Sequence, residues 1–344
     1  MLSLVQKLCS LPGIPGREEA VRQCIEQLIA PHCQYEADAL GNLIAFKKGR
    51  KTPAQKRMLC AHMDEVGFVV TFVTDEGLLK FAPAGGADPR VVFSGRVLVG
   101  DGVPGVIAAK AVHMVSAADR SKAPELDDLY IDIGVQSKEE ALNRISLFAP
   151  VVFDSDFVSF GDGLIKAKAL DDRVGCALLV DLICSEEPLL YDTWFAFTVQ
   201  EEVGLRGAKA AAYGVNPDIA IVVEATTAAD IHGVSDHRQV CELEKGPVIS
   251  FMDNRTIYDK KLYDEAFAAA EANGISVQPK RAVAGGNDAG AIHISRWGVR
   301  TLSVSLPCRY LHSPVCVISE KDLEDTRQLL SVLLRKEPSL EIFE

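Results

Sequence analysis

Five short segments of this sequence bring together side chains that bind metal ions or move protons. The first is His62-Met63-Asp64. In an extended strand, residues two apart face the same way, so this imidazole and carboxylate lie side by side. The imidazole can bind a metal while Asp64 orients it. The second segment is Asp171-Asp172-Arg173, just before a predicted helix. Asp172 suits a helix N-cap, whereas the two oxygens of Asp171 can bridge two cations. The third is Gln200-Glu201-Glu202-Val203-Gly204, directly after a predicted strand. Adjacent carboxylates in extended chain point to opposite sides, so one can bind metal while the other faces substrate. The remaining two are Glu224, after the apolar run 219–223, and His312, in Arg309-Tyr310-Leu311-His312-Ser313-Pro314.

Each segment alone has a plainer reading: a structural histidine, a helix cap or a solvated acidic loop. Together, His62, Asp171, Glu202, Glu224 and His312 supply two imidazoles and three carboxylates. If Asp171 bridges, each of two metal ions receives one His, one terminal carboxylate and a share of Asp171. Nitrogen and oxygen ligands suit Zn, Co or Mn, and positions stay open for water and substrate. Glu201 is then left over as a general base, although residue chemistry alone demands only one ligand and one base from the Glu201–Glu202 pair.

These groups sit at predicted strand ends, where α/β sheets place ligands. Apolar residues recur at helical spacing over 2–9 and 18–30, and 42–46 and 57–61 read as strands. From 66 to 163 the texture changes to short β-rich runs between turns, among them 67–73, 91–99, 103–109 and 151–153. After Gly163 strands and helices alternate: helices over 172–184, 205–213, 259–273 and 319–335, strands over 193–199, 219–223 and 299–305. The expected fold is α/β, a central mixed sheet with helices on both faces, interrupted by a small inserted β-barrel or sandwich-like domain. Residues 1–65 plus 164–344 would form the catalytic domain, and 66–163 the insertion.

At 344 residues and 48% hydrophobic content, the chain can bury a sizeable core. Its net charge of −12 argues against nucleic acid or an anionic membrane as partner. No apolar run approaches the roughly 18 residues of a membrane span. The nine cysteines include no C-x-x-C pair and read as buried thiols in a reducing compartment. The N-terminus lacks the pattern of a secretion signal. The expected location is cytoplasmic.

The blocks His62-Met63-Asp64-Glu65-Val66-Gly67, Asp171-Asp172-Arg173, Gln200-Glu201-Glu202-Val203-Gly204 and Gly285-Gly286-Asn287-Asp288-Ala289 occur in that order. In this the chain resembles the glutamyl/deblocking aminopeptidases, which include the tetrahedral aminopeptidases. The resemblance runs nearly end to end, and the 108 residues between His62 and Asp171 (171 − 62 − 1) match that family's inserted domain. It implies a metal-dependent aminopeptidase acting on peptide substrates with two divalent metal ions per chain. His62 and Glu224 would be terminal ligands of one ion, Glu202 and His312 of the other, and Asp171 the bridge. Glu201 would be the base, Asp64 the partner of His62, and the Asp171–Asp172 peptide cis. Self-association through the insertion is implied too, with a dodecamer built from dimers as the expected assembly. Two positions depart from the pattern: Glu224, where many relatives have Asp, and Asn287, in place of the usual Thr. The competing readings are an endo-1,4-beta-glucanase-type glycosidase and a non-catalytic scaffold on a peptidase fold. Against the first, Trp occurs only at 194 and 297, too few for an aromatic sugar groove. Against the second, a retired site has no physical reason to retain every ligand and the base.

Overall fold

A computed structural model describes residues 1–116, 122–335 and 337. Eight strands form one mixed sheet, in the order Gln34–Ala37, Leu43–Lys47, Thr193–Thr198, Arg57–His62, Ile219–Thr227, Arg300–Cys308, Val248–Ile249, Gln278–Pro279. The four central strands, Thr193–Thr198 through Arg300–Cys308, run parallel to one another. They are nearly continuous apolar sequence, as a sheet covered on both faces requires. Alternation along Arg57–His62 shows how the faces divide. Leu59 and Ala61 join a core with Ile25, Val174, Leu178 and Leu329. Met58 and Cys60 join the opposite core with Ala208, Ala212 and Ile292. Helices Leu2–Ser10, Glu19–Ile29, Leu170–Cys184, Lys260–Asn273 and Glu320–Arg335 cover the first face, and Arg206–Val215 and Ala289–Ile292 cover the second. The α/β expectation holds.

Between Val66 and Asp154 six strands close into a barrel. They are Gly67–Val73, Leu79–Ala84, Arg96–Val99, Val103–Ala108, Tyr130–Asp132 and Pro150–Phe153. Closure leaves no unpaired edge. The barrel has its own apolar core, centred on Phe68, whose ring lies edge-on to Phe81 and Phe153 at 5.0 and 5.7 Å. The expected strand over 91–99 is only half present. Asp88 accepts a hydrogen bond from the Arg90 amide at 2.9 Å, and Pro89 occupies the first turn, so Pro89–Val92 winds into a helical turn and the strand begins at Arg96.

Two strands outrun their sequence expectation. Ile219–Thr227 pairs with Arg300–Cys308 over nine residues, which carries both beyond 223 and 305. Glu224 therefore lies inside a strand, opposite Ser305, and not after its end. The short strand Gln34–Ala37, exposed along its length, was not foreseen; it adds to the sheet edge by antiparallel pairing with Leu43–Lys47.

A three-stranded sheet, Val158–Phe160, Leu164–Ala167 and Cys316–Ser319, brings the approach to Asp171 beside the return from His312, with Ala167 opposite Cys316. Beneath it, Arg173 is fully buried. Its guanidinium donates to the carbonyls of Met63 (2.7 Å), Leu8 (2.6 Å) and Leu11 (3.1 Å). The Lys168 ammonium meets Glu65 at 2.7 Å and the Leu11 carbonyl at 3.1 Å. This buried, paired network ties the N-terminal segment to the strand end that carries His62. Among the described residues, no helix is long and apolar enough to cross a membrane.

Candidate metal centre

His62, Asp171, Glu201, Glu202, Glu224 and His312 converge on one cleft at the C-terminal ends of the parallel strands, and Asp64 lies buried beneath it. His62 ends its strand opposite Thr198, the last residue of the neighbouring one. The chain beyond Thr198 turns sharply, with Gln200 and Leu205 at positive φ (57° and 58°), and so presents Glu201 and Glu202. Asp171 and Asp172 stand at the start of the helix Leu170–Cys184, with non-helical dihedrals and a cis peptide between them. His312, at φ 58°, lies in a loop closed by pairing of Arg309 with Val317.

The two oxygens of Asp171 face different imidazoles. Oδ1 is 3.2 Å from His62 Nε2, and Oδ2 is 3.5 Å from His312 Nε2. Glu224 Oε1 lies 3.4 Å from His62 Nε2, and Glu202 Oε2 lies 3.5 Å from His312 Nε2. The result is two clusters, His62 with Glu224 and His312 with Glu202, joined by Asp171. Their depths differ: the His62 side chain is 2% exposed and that of His312 is 41% exposed.

Asp64 is fully buried and holds this arrangement from below. Its carbonyl oxygen is 3.0 Å, and its carboxylate 3.5 Å, from His62 Nδ1. The carboxylate also accepts the amides of Glu201 and Glu202, each at 3.0 Å. One group thus sets the ring orientation of His62 and the position of the Glu201–Glu202 turn.

The electrostatics call for cations. Asp64, Asp171, Asp172, Glu201, Glu202, Glu224 and Asp288 crowd together, and among the described residues none has a Lys or Arg ion pair. Burial pushes Glu202 up to about 7 and Glu224 up to about 8, in both cases helped by the charge of Asp171. Burial also raises Glu201 well above the carboxylate range. Burial opposes ionisation of Asp171 as well, but hydrogen bonds to His312 and His62 outweigh it and hold the group below its usual value. The hydrogen bond to Asp171 raises His312 to about 9. Buried carboxylates without cationic partners are costly. Divalent ions between them would remove that cost, and the imidazole and carboxylate donors fit zinc, cobalt or manganese. His62, Asp171 and Glu202 offer donor atoms mutually within 4.8 Å, as do His62, Asp172 and Glu224.

Several residues here do more than the sequence suggested. Asp172 does act as a cap, accepting from the Gly175 amide at 3.0 Å, but it also accepts the His62 amide at 3.2 Å. Asp288 accepts from Thr198 Oγ1 and lies 3.5 Å from Cys60 Sγ. Asn287 accepts from the Ala289 amide at 2.9 Å and donates to Ser303 at 3.2 Å, so it fixes the start of the helix Ala289–Ile292. The barrel also reaches the site. A Cβ on Gly85 would stand 3.2 Å from Glu202 Cβ, and one on Gly86 would stand 3.3 Å from His312 Nδ1. The Gly85-Gly86 doublet is the local signal that could have flagged this close approach.

The family description M42 glutamyl aminopeptidase matches residues 41–329. A curated protein of Acetivibrio thermocellus is 38% identical over 331 residues, 96% of this chain and 97% of its own. An aminopeptidase from the archaeon Desulfurococcus kamchatkensis superposes with a TM-score of 0.92 at 35% identity, over 98% of this chain and 94% of that one. The TET1 peptidase of Pyrococcus horikoshii, which can assemble into a tetrahedron or a large octahedral shell, superposes with a TM-score of 0.87 at 36% identity. That match covers 98% of this chain and 99% of its counterpart.

The Asp64 geometry yields a test. Asp64→Ala leaves the part-buried amides of Glu201 and Glu202 without an acceptor, and together the two are expected to cost about 1–3 kcal/mol. Denaturant titration should show a loss in that range, with Asp64→Asn losing less. Wild-type stability in Asp64→Ala would rule out this supporting role.

Proposed function

The chain belongs to the M42 glutamyl aminopeptidase family, and on that premise we propose that it removes N-terminal residues from peptides using two divalent metal ions and Glu201 as general base. The carrying observation is Asp171, whose two oxygens face His62 at 3.2 Å and His312 at 3.5 Å. His62 and Glu224 would hold one ion and Glu202 and His312 the other, with Asp171 shared between them. The ions, when bound, supply Lewis acidity that activates a water and polarises the scissile carbonyl.

The chain's own groups do the rest. Glu201 sits beside the ligands without joining either imidazole pair. Its carboxylate takes the proton of the attacking water and returns it to the leaving amine. Asp64 keeps Glu201 and Glu202 in their separate directions through their backbone amides. The acidic wall of the cleft receives the substrate's free α-amine, which favours cutting at the N-terminus. A glycosidase would need two carboxylates flanking a sugar; the carboxylates here converge on imidazoles instead. Residues 66–163 form the unit through which chains pair, and the pairs build a dodecamer. Nine free thiols fit a reducing, cytoplasmic setting.

Three outcomes check this reading. Replacing His62 or His312 by Ala should each lower bound divalent metal, measured by elemental analysis of purified protein. Unchanged content in both variants would reject the ligand set. Glu201→Gln keeps its shape but cannot accept a proton, so kcat on aminoacyl-anilides should fall by about two to four orders of magnitude with metal retained. If Glu201→Gln loses metal while Glu202→Gln keeps it, the two roles are swapped. Light scattering should give the mass of an oligomer; a monomer at working concentration would contradict the pairing role of 66–163.

A further inference from the structure

We propose that Glu18 is a positioning residue for the general base: its carboxylate holds the backbone of Gln200 and so sets the aim of Glu201. This rests on the aminopeptidase reading and adds a residue to it.

The Glu201 carboxylate has no hydrogen bond of its own among the described residues. Its direction is therefore set by its backbone. Four consecutive amides of that backbone, at 199–202, each donate to a side-chain oxygen. The Val199 amide donates to Asn42 Oδ1 at 2.9 Å and the Gln200 amide to Glu18 Oε1 at 3.1 Å. Those of Glu201 and Glu202 both go to the Asp64 carboxylate. Three separate parts of the chain thus clamp the turn that presents the base.

Gln200 is where the hold matters most. Its φ of 57° is a conformation that a residue with a side chain keeps only when its surroundings impose it. A second cavity, of about 230 Å³ and sharing no lining residue with the cleft, opens against Glu18 and Val199. Packing alone therefore does not confine the chain there; the hydrogen bond to Glu18 does.

Glu18 is placed for this task. It directly precedes the helix Glu19–Ile29, where a polar side chain commonly turns back onto the first helical amides. Here the side chain makes no such cap. Its Oε1 accepts the Gly16 amide at 2.7 Å as well as that of Gln200, and the residue is only 4% exposed. The segment that carries it is anchored to the strand end below the metal centre. The Gly13 carbonyl accepts the Glu65 amide at 2.9 Å, and Ile14 is buried. A carboxylate fixed in this way holds Gln200 to the same frame that holds His62. The effect on rate is large for a small movement, since misplacing a reacting group by about 1 Å lowers a rate about 100-fold.

The test uses the full-length, metal-loaded enzyme, with aminoacyl-p-nitroanilides as substrates. Glu18→Ala should lower kcat by about 10- to 100-fold, with KM and bound metal unchanged. Glu18→Gln keeps an oxygen that accepts both amides and should restore most of the rate. Glu18→Asp, one methylene too short, should behave as Glu18→Ala does, and it carries the comparison if Glu18→Ala does not fold. Because Glu18 acts through the base, adding Glu18→Ala to Glu201→Gln should slow that variant no further. Amide hydrogen exchange across 198–205 should quicken in Glu18→Ala and not in Glu18→Gln. A merely structural Glu18 would lower the melting temperature but leave kcat per folded molecule at the wild-type value, which overturns the proposal. So does a rate loss explained by lost metal, or one that multiplies with Glu201→Gln. If wild type cleaves no anilide, the aminopeptidase reading fails, and the exchange across 198–205 still decides whether Glu18 holds the turn.

Discussion

Everything at the site hangs on the pairing of two strand ends. Arg57–His62 and Thr193–Thr198 run parallel in register, and the pairing continues past them through the Met63 amide and the Thr198 carbonyl at 2.7 Å. Strands so aligned stop at the same level, which leaves the Asp64 carboxylate directly below Glu201 and Glu202. A one-residue slip would send His62 to the other face of the sheet. The apolar alternation of Leu59 and Ala61 against Met58 and Cys60 forbids that slip, because each pair is already committed to a different core.

The molecule contains two buried ionic groups of opposite design. Around Glu65, every charge has a partner: Lys168 and Arg173 both pair with the carboxylate, and spare donors reach backbone carbonyls. That cluster is self-sufficient and holds chain to chain. Around Asp171, carboxylates outnumber the imidazoles and no lysine or arginine answers them among the described residues. Buried negative charge without compensation has no structural benefit. The two clusters are connected through Met63, whose carbonyl is held by Arg173 and which lies between His62 and Asp64.

How much of this was legible in the sequence follows from the range of each interaction. His62, Asp171, Glu202, Glu224 and His312 stood out because each adjoins an apolar run, and runs that alternate with helices bring their C-terminal ends together. The barrel was legible as a texture of short strands and glycines. The role of Asp288 was not, since it depends on which segments meet behind the cleft. Strand lengths failed for a related reason: Glu224 looks terminal when its own strand is read alone, but nine residues of pairing with Arg300–Cys308 carry the strand through it. Asp172 was weighed as a cap and proved to be one; its second bond, to the His62 amide, joins residues 110 apart in sequence and leaves no local trace.

Gly85 and Gly86 alter what can be done with the barrel. They come from its second loop, yet any side chain there would press on Glu202 or His312. The barrel is therefore not a detachable cassette. Excising it at its two junctions would remove the backbone packed beside Glu202 and His312, and grafting in a foreign barrel would fail unless its loop were equally bare. Modularity ends at that loop, whose backbone and the Glu202 and His312 segments must fit each other atom to atom.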